Sequence, residues 1–253
     1  MFDQRLFQPS FLQEVDARVR LGCAVGLCLC LSLLGDVYAC LVGLAVSALL
    51  LLLARPCWQP LLCRLAAINV FVVFLWCVTP WSVPGEELMR LGWLTISVQG
   101  VRLSLLVSLK ANAIAAVFLA LVGTMTAPEL GHALERLHCP TKLVFLFLFT
   151  ARYVHVLGQE WRVLFTAAKL RGFRPGTNAA TYRTLASLLG LLLVRSHERA
   201  QRVHEAMLLR GFDGSFRSVT VFHAGPRDLG FALLLLLCAV GIVTLELCGV
   251  PYV

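Results

Sequence analysis

Apolar positions in this chain run in blocks too long to be one face of a soluble helix. Residues 21–54 carry a single charge, Asp36, beside Gly35. A bilayer crossing takes roughly 17–25 residues, so this block predicts two short spans with Gly35-Asp36 as the turn. Arg18 and Arg20 flank one end, and Arg55 and Arg64 flank the other. Positive flanks mark the cytoplasmic side, so both ends are expected there. Residues 65–79 predict a third span, closed by Pro80. Glu86 and Glu87 follow, bordered by Trp76, Trp81 and Trp93, a pattern that suits the external interface. Residues 95–110 are amphipathic, with Arg102 and Lys110, and residues 111–124 are apolar apart from Asn112. Together they predict the fourth span. Lys110 and Asn112 are candidates to line a path, although the Lys110 stem can also snorkel from the edge of the run. Residues 229–247 predict the last span, entered past Arg217, His223, Arg227 and Asp228.

Between the fourth and fifth spans the pattern changes. Thr126 with Glu129 three residues on is a capping box, with Pro128 in the first turn. It predicts a short helix to about residue 138, separated by Pro140 from the next. Residues 141–171 read as one helix, roughly 45 Å long at 1.5 Å per residue. Its apolar opening, residues 143–149, is too short to span. Arg152, His155, Glu160 and Arg162 follow, which sets the helix in or beneath the membrane surface. A loop over residues 173–180 holds Pro175 and Gly176. Residues 181–210 repeat the plan, with an apolar start giving way to Arg195-Ser196-His197-Glu198-Arg199. Arg195, Glu198, Arg199, Arg202 and Glu205 share one face, where Glu198 and Arg202 are an i,i+4 pair. Ala200, Val203 and Met207 share another, which must pack on something, most simply the 141–171 helix. The fold class expected is an all-α integral membrane protein. It has about five transmembrane helices plus a cytoplasmic coupling block of one short and two long helices. The divisions expected are 1–125, 126–214 and 215–253.

One phrase occurs twice in the inserted block. Ala167-Ala168-Lys169-Leu170-Arg171-Gly172-Phe173 and Ala206-Met207-Leu208-Leu209-Arg210-Gly211-Phe212 both read Ala-x-x-Leu-Arg-Gly-Phe. Arg followed by Gly is an ordinary helix stop, because the cation suits the negative end of the dipole and Gly takes the left-handed turn. Two copies, each closing a charged helix, also read as two docking points for a paired partner. An arginine fork pairs with a carboxylate through two parallel bonds, and a glycine behind it admits a close surface.

Composition agrees with the blocks: 59% of residues are hydrophobic and 14% charged, against about 25% charged in a soluble domain. The net charge of +8 is almost all arginine, which suits cytoplasmic loops and lipid headgroups. Nucleic-acid binding is the weaker use, since no basic stretch is interleaved with aromatics. The ten cysteines form no framework. Most, such as Cys23, Cys28, Cys30, Cys40, Cys77 and Cys238, lie in apolar runs, where free cysteine behaves as a small hydrophobe. No secretory signal is expected at the start, which holds Asp3, Glu14 and Asp16. There is no phosphate loop and no His-Glu-x-x-His, so ATP hydrolysis by this chain is not expected. His132, His138, His155, His197, His204 and His223 are scattered. His197 and His204, seven apart, make a weak metal pair. No catalytic, cofactor or metal constellation is expected.

At these residues the chain resembles the transmembrane T component of energy-coupling factor transporters, and within that group the CbiQ/NikQ branch for cobalt or nickel. The resemblance covers nearly the whole chain. It includes Asp16-Ala17-Arg18, where the family tends to have Asp-Pro-Arg. It includes Thr126-Ala127-Pro128-Glu129-Leu130, Arg152-Tyr153, and Arg195-Ser196-His197-Glu198-Arg199-Ala200 running on to Asp213-Gly214. The family's two Ala-Arg-Gly motifs fall on Leu170-Arg171-Gly172 and Leu209-Arg210-Gly211, with Leu in place of Ala in both. The resemblance implies that Arg171, Gly172, Arg210 and Gly211 couple to the ATPases. Leu170, Leu209, Arg195, Glu198, Arg199 and Met207 would support the coupling helices, and Asp16 and Arg18 would form the N-terminal motif. It implies a prokaryotic inner-membrane protein, N-terminus cytoplasmic and C-terminus external. That protein would bridge two ATP-binding-cassette subunits, a homodimer, to a metal-binding substrate subunit in the bilayer, with no role for nucleic acid. The rivals are a vitamin-type T component, a stand-alone transporter or channel, and, last, a membrane enzyme.

Overall fold

The computed structural model describes residues 15–83, 87–91, 94–137, 139–212 and 226–248. Expectations on Asp3, Glu14, Glu86, Trp93, His138, Asp213, Gly214, Arg217 and His223 lie outside the described residues. Eight helices and two strands are found among those described, and the chain divides into two compact units, 1–133 with 221–253, and 134–220.

The first unit is built on α1 (Ala17–Leu33), α2 (Val37–Leu53), α3 (Trp58–Ser82), α4 (Val98–Leu121) and α8 (Pro226–Cys248). Capping residues set the starts. Asp16 accepts from the Arg18 amide, Asp36 from Val37 N at 2.8 Å, and Ser97 from Gly100 N at 3.2 Å. Asp36 therefore begins α2, and Gly35-Asp36 is the turn that the single interruption predicts. The third span differs from its expected bounds. It starts at Trp58 and runs past Pro80 to Ser82. Pro80 is two residues before the helix end and lies against Gly100 of α4. A Cβ on Gly100 would come within 2.9 Å of Pro80 Cα and 3.0 Å of Thr79 O. Two antiparallel strands, β1 (Glu87–Leu91) and β2 (Leu94–Ser97), precede α4, with Leu91 opposite Leu94 and Arg90 opposite Thr95. The amphipathic start expected for the fourth span is thus partly strand.

α4 packs on α1, α2 and α3, and α8 packs on α1 and α2. The core joins Leu27, Leu31 and Leu34 to Ala113, Ala116, Val117 and Ala120 of α4, with Leu235 and Ile242 of α8. The alanines let backbones approach, which drives helix association where lipid removes the hydrophobic effect. Lys110 does not merely snorkel. Its Nζ donates to Ser32 O at 3.0 Å, at the end of α1. Asn112 exchanges two amide hydrogen bonds with Asn69 of α3, at 3.0 and 3.2 Å. Gly35 N donates to Glu246 at 2.6 Å, tying the α1–α2 turn to the end of α8. Each of these polar groups is thus held by a partner from another segment of the chain.

α5 (Ala127–Arg136) begins in the first unit and ends in the second. The second unit continues with α6 (Thr141–Leu170) and α7 (Ala179–Leu209). Among the described residues four helices are long and apolar enough to cross a membrane: α3, α4, α6, and residues 228–246 of α8; α2 is apolar but shorter. α6 joins that group by length and composition. It also carries Arg152, His155, Glu160 and Arg162, and Glu160 pairs with the polar helix α7. The fold is therefore that of an all-α membrane protein, with about five apolar helices and, in addition, one short and two long helices, α5, α6 and α7.

Candidate functional site

The repeated phrase produces the same local structure twice. At the end of α6, Gly172 N donates to Lys169 O at 3.0 Å and Phe173 N to Ala168 O at 3.1 Å. At the end of α7, Gly211 N donates to Leu208 O at 3.0 Å and Phe212 N to Met207 O at 3.1 Å. Both are Schellman caps with glycine at the left-handed position, φ +86° at Gly172 and +80° at Gly211. The phenylalanine that follows anchors each cap. Phe173 meets Phe165 edge-on at 6.0 Å, and Phe212 stacks on Phe145 at 6.3 Å.

The residue before each glycine is the one presented. Arg171 and Arg210 are exposed helix C-caps. Leu170 and Leu209 beside them are 84% and 89% exposed. Among the described residues neither guanidinium has a hydrogen-bond or ion-pair partner. The space beside each glycine is open, with nothing within 4 Å of an added Cβ.

The contacts also fix how the two helices pair. The middle of α6 meets the middle of α7 through Glu160, which bonds Arg195 at 2.7 Å and faces Arg199 at 3.6 Å. The start of α6 meets the end of α7 through Phe145 and Phe212. The helices therefore run antiparallel, and the two Arg-Gly ends lie at opposite ends of the pair. The stretch of α6 from Phe145 to Arg171 is about 40 Å at 1.5 Å per residue. Met207 thus falls at the α6–α7 contact, as the apolar stripe predicts, while Arg195 and Arg199, expected on the charged face, reach the contact through Glu160. Glu198 and Arg202 are exposed and not within ion-pair distance, so the charged face is tied between helices rather than along one. Between the two contacts the helices leave an apolar groove of about 500 Å³, walled by Phe149, Tyr153, Val154, Ala200, Val203 and Met207.

No group of three metal-ligating side chains occurs among the described residues, and the described cysteines are free thiols. His197 meets Gln201 at 3.2 Å, while His204 lines the groove.

The family model described as CbiQ, cobalt transport protein, matches residues 8–221. The chain belongs to the CbiQ family. Similar proteins include the nickel permease LarQ of Lactiplantibacillus plantarum, 32% identical over 41% of this chain and 38% of that protein. The energy-coupling factor transporter transmembrane protein EcfT of Exiguobacterium sibiricum is 28% identical over 65% of this chain and 66% of its own length. The cobalt transport protein CbiQ of Rhodobacter capsulatus is 30% identical over 46% of this chain and 47% of its own. The alignments thus cover less than two thirds of these three relatives.

In this CbiQ-family chain the N-terminal motif lies at the base of the membrane unit. Asp16 N donates to Asp228 Oδ1 at 3.0 Å, joining the starts of α1 and α8 across 212 residues of chain. Arg18 Nε lies 3.9 Å from Asp16 Oδ1. Sequence reasoning singled out Asp16 and Arg18 but treated Arg20 only as a positive flank. Arg20 is the more deeply set, 2% exposed. Its NH1 donates to Thr124 Oγ1 at 3.2 Å, and its NH2 lies 4.0 Å from Glu129 Oε2. The only signal in the chain was Arg20's place one turn after a capping Asp, which is too common to single it out.

Proposed function

We propose that this chain is the transmembrane coupling subunit of an energy-coupling-factor importer. It stands between two ATP-binding-cassette subunits, a homodimer, and a separate substrate-binding membrane subunit. Arg171 and Arg210 enter a groove on one ATPase each, and Gly172 and Gly211 let that surface close in. The long helices α6 and α7 pass the ATP-driven motion on as a rigid body. The block from 126 to 214 is the cytoplasmic coupling segment, with the N-terminus cytoplasmic and the C-terminus external. The cargo is Co²⁺ or Ni²⁺, held by the other membrane subunit. The names of LarQ and CbiQ support a metal; the EcfT name gives no substrate, and the alternative is a vitamin-type T component.

One observation carries this reading. Two identical caps present two unpartnered arginines at opposite ends of one antiparallel pair, the layout that two copies of one partner require. A tagged chain isolated from native membranes in mild detergent is expected to bring down a cassette ATPase and a second membrane protein. The Arg171→Glu, Arg210→Glu double variant is expected to insert normally and lose the ATPase. An ATPase held equally well by the double variant sinks the docking claim.

A further inference from the structure

We infer that Arg20 is a positioning residue for coupling, clamping the elbow where α4 turns into α5 to the bases of α1 and α8. The inference rests on the coupling role proposed above.

The elbow, residues 122–126, is built to be stiff. Gly123 N and Val122 N both bond to Phe118 O, and Met125 N bonds to Val122 O. A Cβ on Gly123 would come within 2.6 Å of Leu119 O, so the backbone closes on itself there. Thr124 donates its hydroxyl to Ala120 O and Leu121 O and accepts from Arg20. Glu129 then serves two groups with one oxygen. Its Oε2 accepts from Thr126 N at 3.1 Å, completing the α5 capping box, and faces Arg20. Arg20 thus touches the middle of the elbow at Thr124 and the first turn after it at Glu129.

The other side of Arg20 faces the two joined helix starts. Glu129, Asp16 and Asp228 all act electrostatically on its guanidinium, and Asp16 and Asp228 are themselves buried and bonded together. Among the described residues Arg20 Nε has no hydrogen-bond partner. The side chain accepts an incompletely satisfied, desolvated site in order to bridge these groups. A buried charge is sensitive to the loss of one partner, because water cannot replace it. The chain from α5 runs directly into α6 and α7, so this elbow adjoins one of the two places where the chain passes between the units. With Arg20 in place the elbow cannot turn without pulling on α1 and α8.

The test uses the complex purified through the tagged wild-type chain and two variants. Arg20→Gln removes the charge. Glu129→Gln keeps an amide oxygen for Thr126 N, so it removes the ion pair and spares the cap. Hydrogen exchange is compared with and without ATP. Wild type is expected to show an ATP-dependent change both over residues 121–133 and at the bases of α1 and α8, residues 15–21 and 226–230. In both variants the change over 121–133 should persist while that at the helix bases falls about fivefold or more, the low end of an ordinary coupling free energy. Arg20→Lys should recover part of it. A purely structural role would raise exchange equally with and without ATP. Variants that carry the ATP-dependent change to the helix bases in full, or a wild type that shows none there, overturn the role of Arg20. A wild type that brings down no ATPase overturns the coupling reading itself.

Discussion

Arg20 and the pair Arg171 and Arg210 are the same side chain in opposite surroundings. Arg20 is closed off from water among carboxylates from three separate parts of the chain. Arg171 and Arg210 stand at helix ends with open space around them. The difference lies in what each region must bury. The membrane unit packs α4 against three helices and brings distant polar groups together at its base. Among the described residues the α6–α7 unit buries few side chains, chiefly Val144, Leu164 and Thr181, and its helices meet at the ion pairs of Glu160 and at the aromatic side chains that include Phe145 and Phe212. An arginine in the first setting is tied into the fold, while one in the second is available to another molecule.

This contrast breaks most sharply in thermal unfolding of the purified chain. Arg20→Met leaves the buried Asp16 and Asp228 short of one counter-charge and should cost about 3–5 kcal/mol. Arg171→Glu and Arg210→Glu should each change stability by less than about 0.5 kcal/mol, as exposed substitutions do. Equal losses at Arg20 and Arg171 would erase the distinction.

The two caps provide a finer test. Gly172→Ala and Gly211→Ala both force a side chain into left-handed backbone, at about 1–2 kcal/mol each. Because both caps make the same pair of Schellman bonds around the glycine, the two losses should agree, and circular dichroism melts of the single variants would compare them. A large loss at one and none at the other would show that the repeat is not a structural duplicate.

The smallest effect is expected at the α6–α7 crossing. Glu160 is partly exposed and its arginine partners more so, so Glu160→Gln should cost under about 1 kcal/mol. Its signature should be a weaker salt dependence of stability, since screening has less left to act on. An unchanged salt dependence would mean that the ion pairs add nothing to the joining of the two helices.

Much of this was legible in the chain. An apolar block of given length, interrupted by Gly35-Asp36, specifies a helix hairpin because only a capped turn lets two spans form there. The Thr126–Glu129 box and the Arg-Gly stops were readable for the same reason: their partners lie within a few residues. The strand pair before α4 was missed because residues 87–97 mix charge, aromatics and β-branched residues without a clean alternation. Pro80 was taken as a stop, although a proline inside a helix removes only the one bond its missing N–H would have made.

By itself the sequence determined the spans, the inserted block and the two matching caps, since each depends on local spacing, hydrophobicity and backbone chemistry. Only the tertiary structure decided what distant side chains meet. It paired Asn69 with Asn112, turned Glu160 toward Arg195 rather than leaving Glu198 with Arg202, and gathered Thr124, Glu129 and Asp228 around Arg20. Nothing in the local pattern separates Arg18 from Arg20. Burial separates them, and burial is a property of packing between segments more than a hundred residues apart.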